Sequence, residues 1–88
     1  MSTPYPVTYN IEGLIEEVTE SKGFVEYMHA YYVGRAEYYK NKMEATDDPA
    51  RKEIYRIISE RYQSWADSIA SIPAALATMI TTLQGLIA

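Results

Sequence analysis

"ATDDPARKE", residues 45–53, decides how this chain folds. Asp47 or Asp48 can cap a helix, and Pro49 suits a first helical position. Glu53 puts a negative charge near the positive end of the helix dipole. One helix is therefore expected to end near Glu44 and another to begin near Pro49. So short a connection makes the two helices antiparallel neighbours. The expected fold is all-α, an antiparallel helical hairpin with its turn at 45–49.

Upstream of the turn, apolar positions run Ile11, Ile15, Val18, Val25, Tyr32, Ala36, Tyr39 and Met43. The steps alternate threes and fours if Lys22 and His29 fill the missing places, which makes a heptad seam. Asn10 is a candidate N-cap. "SKG" at 21–23 reads as a stop, a cation in the last turn followed by glycine. Downstream, the stripe is Ile54, Ile58, Tyr62, Trp65, Ile69 and Ile72. Pro73 removes a hydrogen bond and crowds the preceding turn at a cost of ~3 kcal/mol, and Ser71 before it can cap a fresh helix. Gly23 and Pro73 are each expected to bend or break a helix, giving three or four segments.

The 88 residues make one small domain, 1–88, whose first nine, "MSTPYPVTY", are expected to form an extended arm because Pro4 and Pro6 favour extended backbone. That opening has no basic start and no apolar run, so it does not read as a cleaved signal peptide. Localisation is left open: secretion without a cleaved signal peptide, a virion or the cytoplasm. Cysteine is absent, which excludes disulfides and thiolate chemistry. The net charge of −4 argues against nucleic acid, whose binding needs clustered cations.

Tyrosine is the anomaly, nine residues against one phenylalanine. "YYVGRAEYYK", residues 31–40, holds two doublets one heptad apart. Adjacent helical residues are rotated by about 100° and cannot share a face. Tyr32 and Tyr39 lie on the seam, so Tyr31 and Tyr38 join Phe24, Tyr27 and Arg35 on a second stripe. One hairpin partner covers one stripe. Exposed aromatic stripes mark interaction sites.

"SIASIPAALATMITTLQGLIA", residues 68–88, carries no charge and is small or apolar on nearly every side. Such a helix is buried on most sides, which a two-helix hairpin cannot provide. A membrane span is long enough at this length. Ser71, Pro73, Thr78, Thr81, Thr82, Gln84 and the lack of flanking Lys or Arg anchors speak against it. The expected contact faces are Tyr27, Tyr31 and Tyr38 on one side, and Leu76, Ile80, Leu83 and Ile87 on the other.

Little in the sequence suggests catalysis, and neither an enzyme activity nor a cofactor is expected. Glu26 and His29, three apart in "EYMH", share a helix face in the spacing of di-iron carboxylate bundles, with Glu53 or Glu60 as facing carboxylates. The second such motif is missing, and a histidine filling a seam position accounts for His29. There is no Ser-His-Asp arrangement, phosphate loop or zinc spacing.

"DDPARKEIYRIISERYQSW", residues 47–65, resembles the turn and second-helix start of type III secretion needle subunits, although only Pro49 stands where needles often have two prolines. "ERYQSWADSIASIPAALATMI", residues 60–80, is similar in heptad spacing to the second helix of Trp-x-Gly type VII secretion substrates. Asp48, Pro49 and Ala50 replace that family's turn, and no Tyr-x-x-x-Asp/Glu signal follows. Each resemblance covers about half of the chain and carries over no functional residue. It implies a small helical subunit that polymerises or is exported. The expected function is a self-assembling structural subunit of a filament or secretion-type assembly, with copies of itself or a larger assembly as partner. The alternatives are a small acidic phage or bacterial protein that inhibits a partner, and a di-metal protein using Glu26 and His29.

Overall fold

In a computed structural model, residues 7–87 are described, with side chains from residue 10 onward; they contain helices and no strand. Helix α1 is Val7–Ala45, α2 is Pro49–Ile69 and α3 is Ile72–Gly85. The expected arm at 1–9 lies outside the described residues except for its last three, which are helical. Asn10 is therefore inside α1 rather than its cap.

The turn at 46–48 forms as its residues dictate. The Asp48 carboxylate accepts a hydrogen bond from the Ala50 N–H at 3.0 Å, and Thr46 Oγ1 accepts one from the Asp48 N–H at 3.3 Å. Asp48 is thus the N-cap of α2, with Pro49 in the first turn. A cap of this kind contributes about 1 kcal/mol.

Beyond the turn, α2 runs back along α1. Tyr39 lies beside Tyr55, Ala36 accepts a hydrogen bond from Ser59 Oγ at 2.7 Å, and Tyr32 lies beside Tyr62. Positions fall along α1 as they rise along α2, and Val25 and Ile69 line one groove farther down. The same register sets Leu76 at the level of Val18 and Leu83 at that of Ile11. The layer measures 70 × 20 × 14 Å, one helix thick.

Two expected breaks turn out differently. Gly23 interrupts nothing: α1 is continuous for 39 residues. No glycine has positive φ, and a glycine with ordinary helical dihedrals costs propensity without stopping a helix. At Pro73 the hydrogen-bond ladder is interrupted four residues upstream of the proline, where its missing N–H and its ring act on the Ile69 carbonyl, while Ala70 and Ser71 keep right-handed helical dihedrals. α2 ends at Ile69, the Ala70 N–H reaches only to the Asp67 carbonyl at 3.4 Å, and α3 resumes with Ala75 N–H on the Ser71 carbonyl at 3.2 Å. Ser71 stands at the cap position, but its side chain makes no capping bond.

The α1 seam is buried or half-buried at Ile11, Ile15, Val18, Lys22, Val25, His29, Tyr32, Ala36, Tyr39 and Met43. The facing seam is Tyr55, Ser59, Tyr62, Ala66, Ile69, Pro73, Leu76, Ile80, Leu83 and Ile87. That differs from the expected stripe. Ile54, Trp65 and Ile72 are exposed, and the small residues Ser59 and Ala66 take the contact with α1. The apolar stripe is wider than one partner needs, and close backbone approach at Ala36 (4% exposed) and Ala66 (0%) selects which half faces inward.

Candidate functional site

Side chains next to the seam divide the layer into two unlike sides. A residue one step before a seam position turns about 100° one way, and one step after turns as far the other way. One side carries a groove lined by Glu37, Lys40 and Glu44 of α1 with Ser59, Glu60 and Gln63 of α2. It is polar. The opposite side carries Phe24, Met28, Tyr31 and Tyr38 from α1, with Ile58, Trp65 and Ile72 from the second helical run.

On this apolar side the residues recur at heptad spacing. From α1 come Leu14, Phe24, Met28, Tyr31 and Tyr38. From α2 and α3 come Ile58, Trp65, Ile72, Met79 and Leu86, each seven residues from the last. Phe24 and Leu86 are 65% exposed and Trp65 is 44%. Only Ile11, Ala36 and Ala66 form a buried hydrophobic core among the described residues, and no large side chain is fully buried.

The doublets are split as their spacing requires. Tyr39 stacks on Tyr62 with centroids 6.1 Å apart, and Tyr32 lies 5.7 Å from Trp65. Tyr31 and Tyr38 meet their doublet partners edge-on and remain exposed. Tyr27 is also exposed but lies about 40° farther round the helix than Tyr31, away from the seam. Leu76, Ile80, Leu83 and Ile87 are half-buried on the seam with α1, not on an outer face. The row Trp65, Ile72, Met79 and Leu86 occupies the outward position that sequence reasoning gave to them. The signal was present in their sevenfold spacing, hidden inside a single broad stripe.

Arg35 sits among these rings. Its guanidinium carbon lies 4.8 Å from the Tyr38 centroid and 5.1 Å from that of Tyr39, and it donates a hydrogen bond to Tyr39 Oη at 3.1 Å. Desolvation by the rings opposes its charge, and the Tyr62 and Tyr39 hydroxyls more than offset this, so its pKa is raised. Its Nε–H is buried without an acceptor. No carboxylate of the described residues pairs with it. Lys42 stands over the Tyr38 ring at 5.2 Å on the same side.

No protein-family model, curated protein or solved structure matches this chain. Glu26 takes a salt bridge from Lys22 at 3.2 Å, and His29 is half-buried on the seam. Glu53 and Glu60 both bind Arg56, and no cluster of three metal-ligating side chains occurs among the described residues. The hydrogen bond from Arg56 holds the Glu53 carboxyl below its ordinary pKa, and its two carboxylates raise that of Arg56. By length and composition Pro49–Gly85 could cross a membrane, with 6% of its most apolar stretch buried in the single chain. That same exposure is what an unpaired apolar side requires.

Proposed function

We propose that the chain is a self-assembling structural subunit, an antiparallel helical hairpin that buries its apolar side against another copy. The setting that its sequence resemblance suggests is a filament or secretion-type assembly. The observation that carries the reading is the exposed row of aromatic and aliphatic side chains on one side of a layer with almost no core of its own. The accessible surface is 6580 Å². A compact chain of 10.0 kDa exposes about 5,200 Å². The elongated layer therefore exposes about 1,400 Å² more than a compact chain of its mass, counted over both of its sides, against the roughly 800 Å² per partner that a standard interface covers. Tyrosine and tryptophan suit this duty, because their rings supply contact area while their polar atoms stay hydrated before assembly.

Sedimentation velocity and negative-stain imaging at micromolar concentration test the reading, with the double variant Tyr31→Ala, Tyr38→Ala beside the parent. Both rings are exposed in the single chain, so helicity should be kept while self-association weakens at least tenfold. A parent that sediments as a monomer at every concentration would contradict the proposal. So would a double variant that loses helicity and association in equal measure.

A further inference from the structure

The apolar side of α1 is a second seam as regular as the first. It reads Asn10, Leu14, Glu17, Ser21, Phe24, Met28, Tyr31, Arg35, Tyr38 and Lys42, in alternating steps of four and three. Its chemistry is polarised. A carboxylate stands toward one end, two cations toward the other, and apolar rings lie between. Arg35 and Lys42 have no carboxylate partner of their own among the described residues, and Glu17 has no cation partner there.

From this pattern, resting on the self-assembly reading above, we infer that two copies pair through their apolar sides in inverted orientation. α1 lies antiparallel on α1 of the second copy, closing a four-helix bundle about a twofold axis. The midpoint of the ten-position seam falls between Phe24 and Met28. Reversing the seam about that point sets Phe24 against Met28, Ser21 against Tyr31, Leu14 against Tyr38 and Glu17 against Arg35. The one unpaired carboxylate of the row meets the cation whose own chain offers it none.

The second helical run gives an independent check. In the register fixed by Tyr39 with Tyr55 and Tyr32 with Tyr62, the same axis crosses α2 at Ser68. Pairing the row in reverse order sets Trp65 against Ile72 and Ile58 against Met79, within half a residue of Ser68, and sets Arg61 against Ala75. Large apolar groups meet one another, and Ser68, which stands with Arg61 and Ala75 between the heptad members of the row, lies at the axis. The rival twofold, parallel to the long direction of the layer, stacks α1 on α2 of the second copy at equal height. It brings Arg35 to Arg61 and leaves Glu17 facing the uncharged α3. The charges select the inverted pair.

The chain has no cysteine, so cross-linking reads the arrangement directly. Full-length Ser68→Cys, in a glutathione redox buffer, should give a covalent dimer on a non-reducing gel. Arg61→Cys, seven residues and about 10 Å from the axis on each copy, should not link to itself. Glu17→Cys mixed with Arg35→Cys should link across copies. Arg35→Glu should weaken association at least tenfold, and Glu17→Arg in the same chain should restore it. The inverted pair is overturned if the parent dimerises in the ultracentrifuge while Ser68→Cys stays unlinked, or if Arg61→Cys links equally well. It is overturned equally if the charge reversal is not rescued. Those outcomes leave self-assembly standing. A parent that remains monomeric overturns both, and a monomer that binds anionic phospholipid vesicles identifies the apolar side as a lipid surface instead.

Discussion

Gly23→Ala should make the protein more stable, by an amount the structure sets. Gly23 lies inside a continuous 39-residue helix, with no positive φ, and a Cβ built there meets nothing within 4 Å. The substitution therefore neither strains the backbone nor adds a packing contact. What remains is the cost of glycine in a helix interior, about 1 kcal/mol relative to alanine, which arises largely from the freedom of the unfolded chain. For a domain of this size that raises Tm by roughly 4–8 °C. Circular dichroism at 222 nm, with heating and urea titration at one fixed chain concentration, measures it; fixed concentration matters because association raises apparent stability. Gly34→Ala should behave alike, since its Cβ also meets open space. A Gly23→Ala variant with unchanged or lowered Tm would refute the reasoning. It would mean that "SKG" ends or bends a helix in solution, and that α1 is two pieces.

Tyr39→Ala removes the stack on Tyr62, the tilted contact with Tyr55 and the hydroxyl that accepts from Arg35; urea titration should show a loss of about 2–3 kcal/mol, and Tyr39→Phe a loss nearer 1 kcal/mol or less. Glu53 has a lowered pKa through its hydrogen bond from Arg56, so its stabilising contribution is complete above the ordinary carboxylate range and fades as pH falls through the lowered value. Its carboxyl carbon resonance should titrate below the ordinary glutamate range, and Arg56→Gln should return the midpoint to that range.

The turn and the α1 seam were legible because each rests on local chemistry. Asp48 and Pro49 cap and start a helix whatever packs against it, and the three-four spacing from Ile11 to Met43 fixes one face. Even the misfits were readable. Lys22 fills its heptad place by lying its stem along the seam and turning its ammonium to Glu26. The inward half of the second stripe was not legible. Tyr55, Ile58, Ser59, Tyr62, Trp65 and Ala66 all fall within one apolar arc, and hydropathy prefers Trp65 to Ala66 as the buried member. Packing reverses that preference, because two backbones approach closest where side chains are smallest. The inward placement of Leu76, Ile80, Leu83 and Ile87 is hidden for the related reason that a sequence without charge gives no sign of which side is wet. Gly23 misled because glycine marks helix ends only when its backbone adopts positive φ, and propensity does not encode φ.

The two tyrosine doublets follow from one geometric requirement. A helix that touches a single neighbour needs one seam, and a helix in a flat array needs two on opposite sides. A helix at the corner of a four-helix bundle needs two seams close to a right angle. Residues one position apart differ by about 100°, so a doublet repeated every seven residues is the shortest way to write a corner. Tyr32 and Tyr39 face α2 within the chain, while in the proposed pair Tyr31 and Tyr38 face the second copy. The same offset occurs in the second helical run, where the inward row Ala66, Pro73, Ile80 and Ile87 is shadowed one residue earlier by Trp65, Ile72, Met79 and Leu86. Both outward rows fall on one side of the layer, so pairing two copies covers both at once and leaves no long apolar edge. Among the described residues, Tyr27 is the large ring that this pairing leaves bare. If pairs build further into a filament, growth must run through surfaces outside the bundle core, and Tyr27, 67% exposed in the single chain, is where such a contact would have an aromatic anchor.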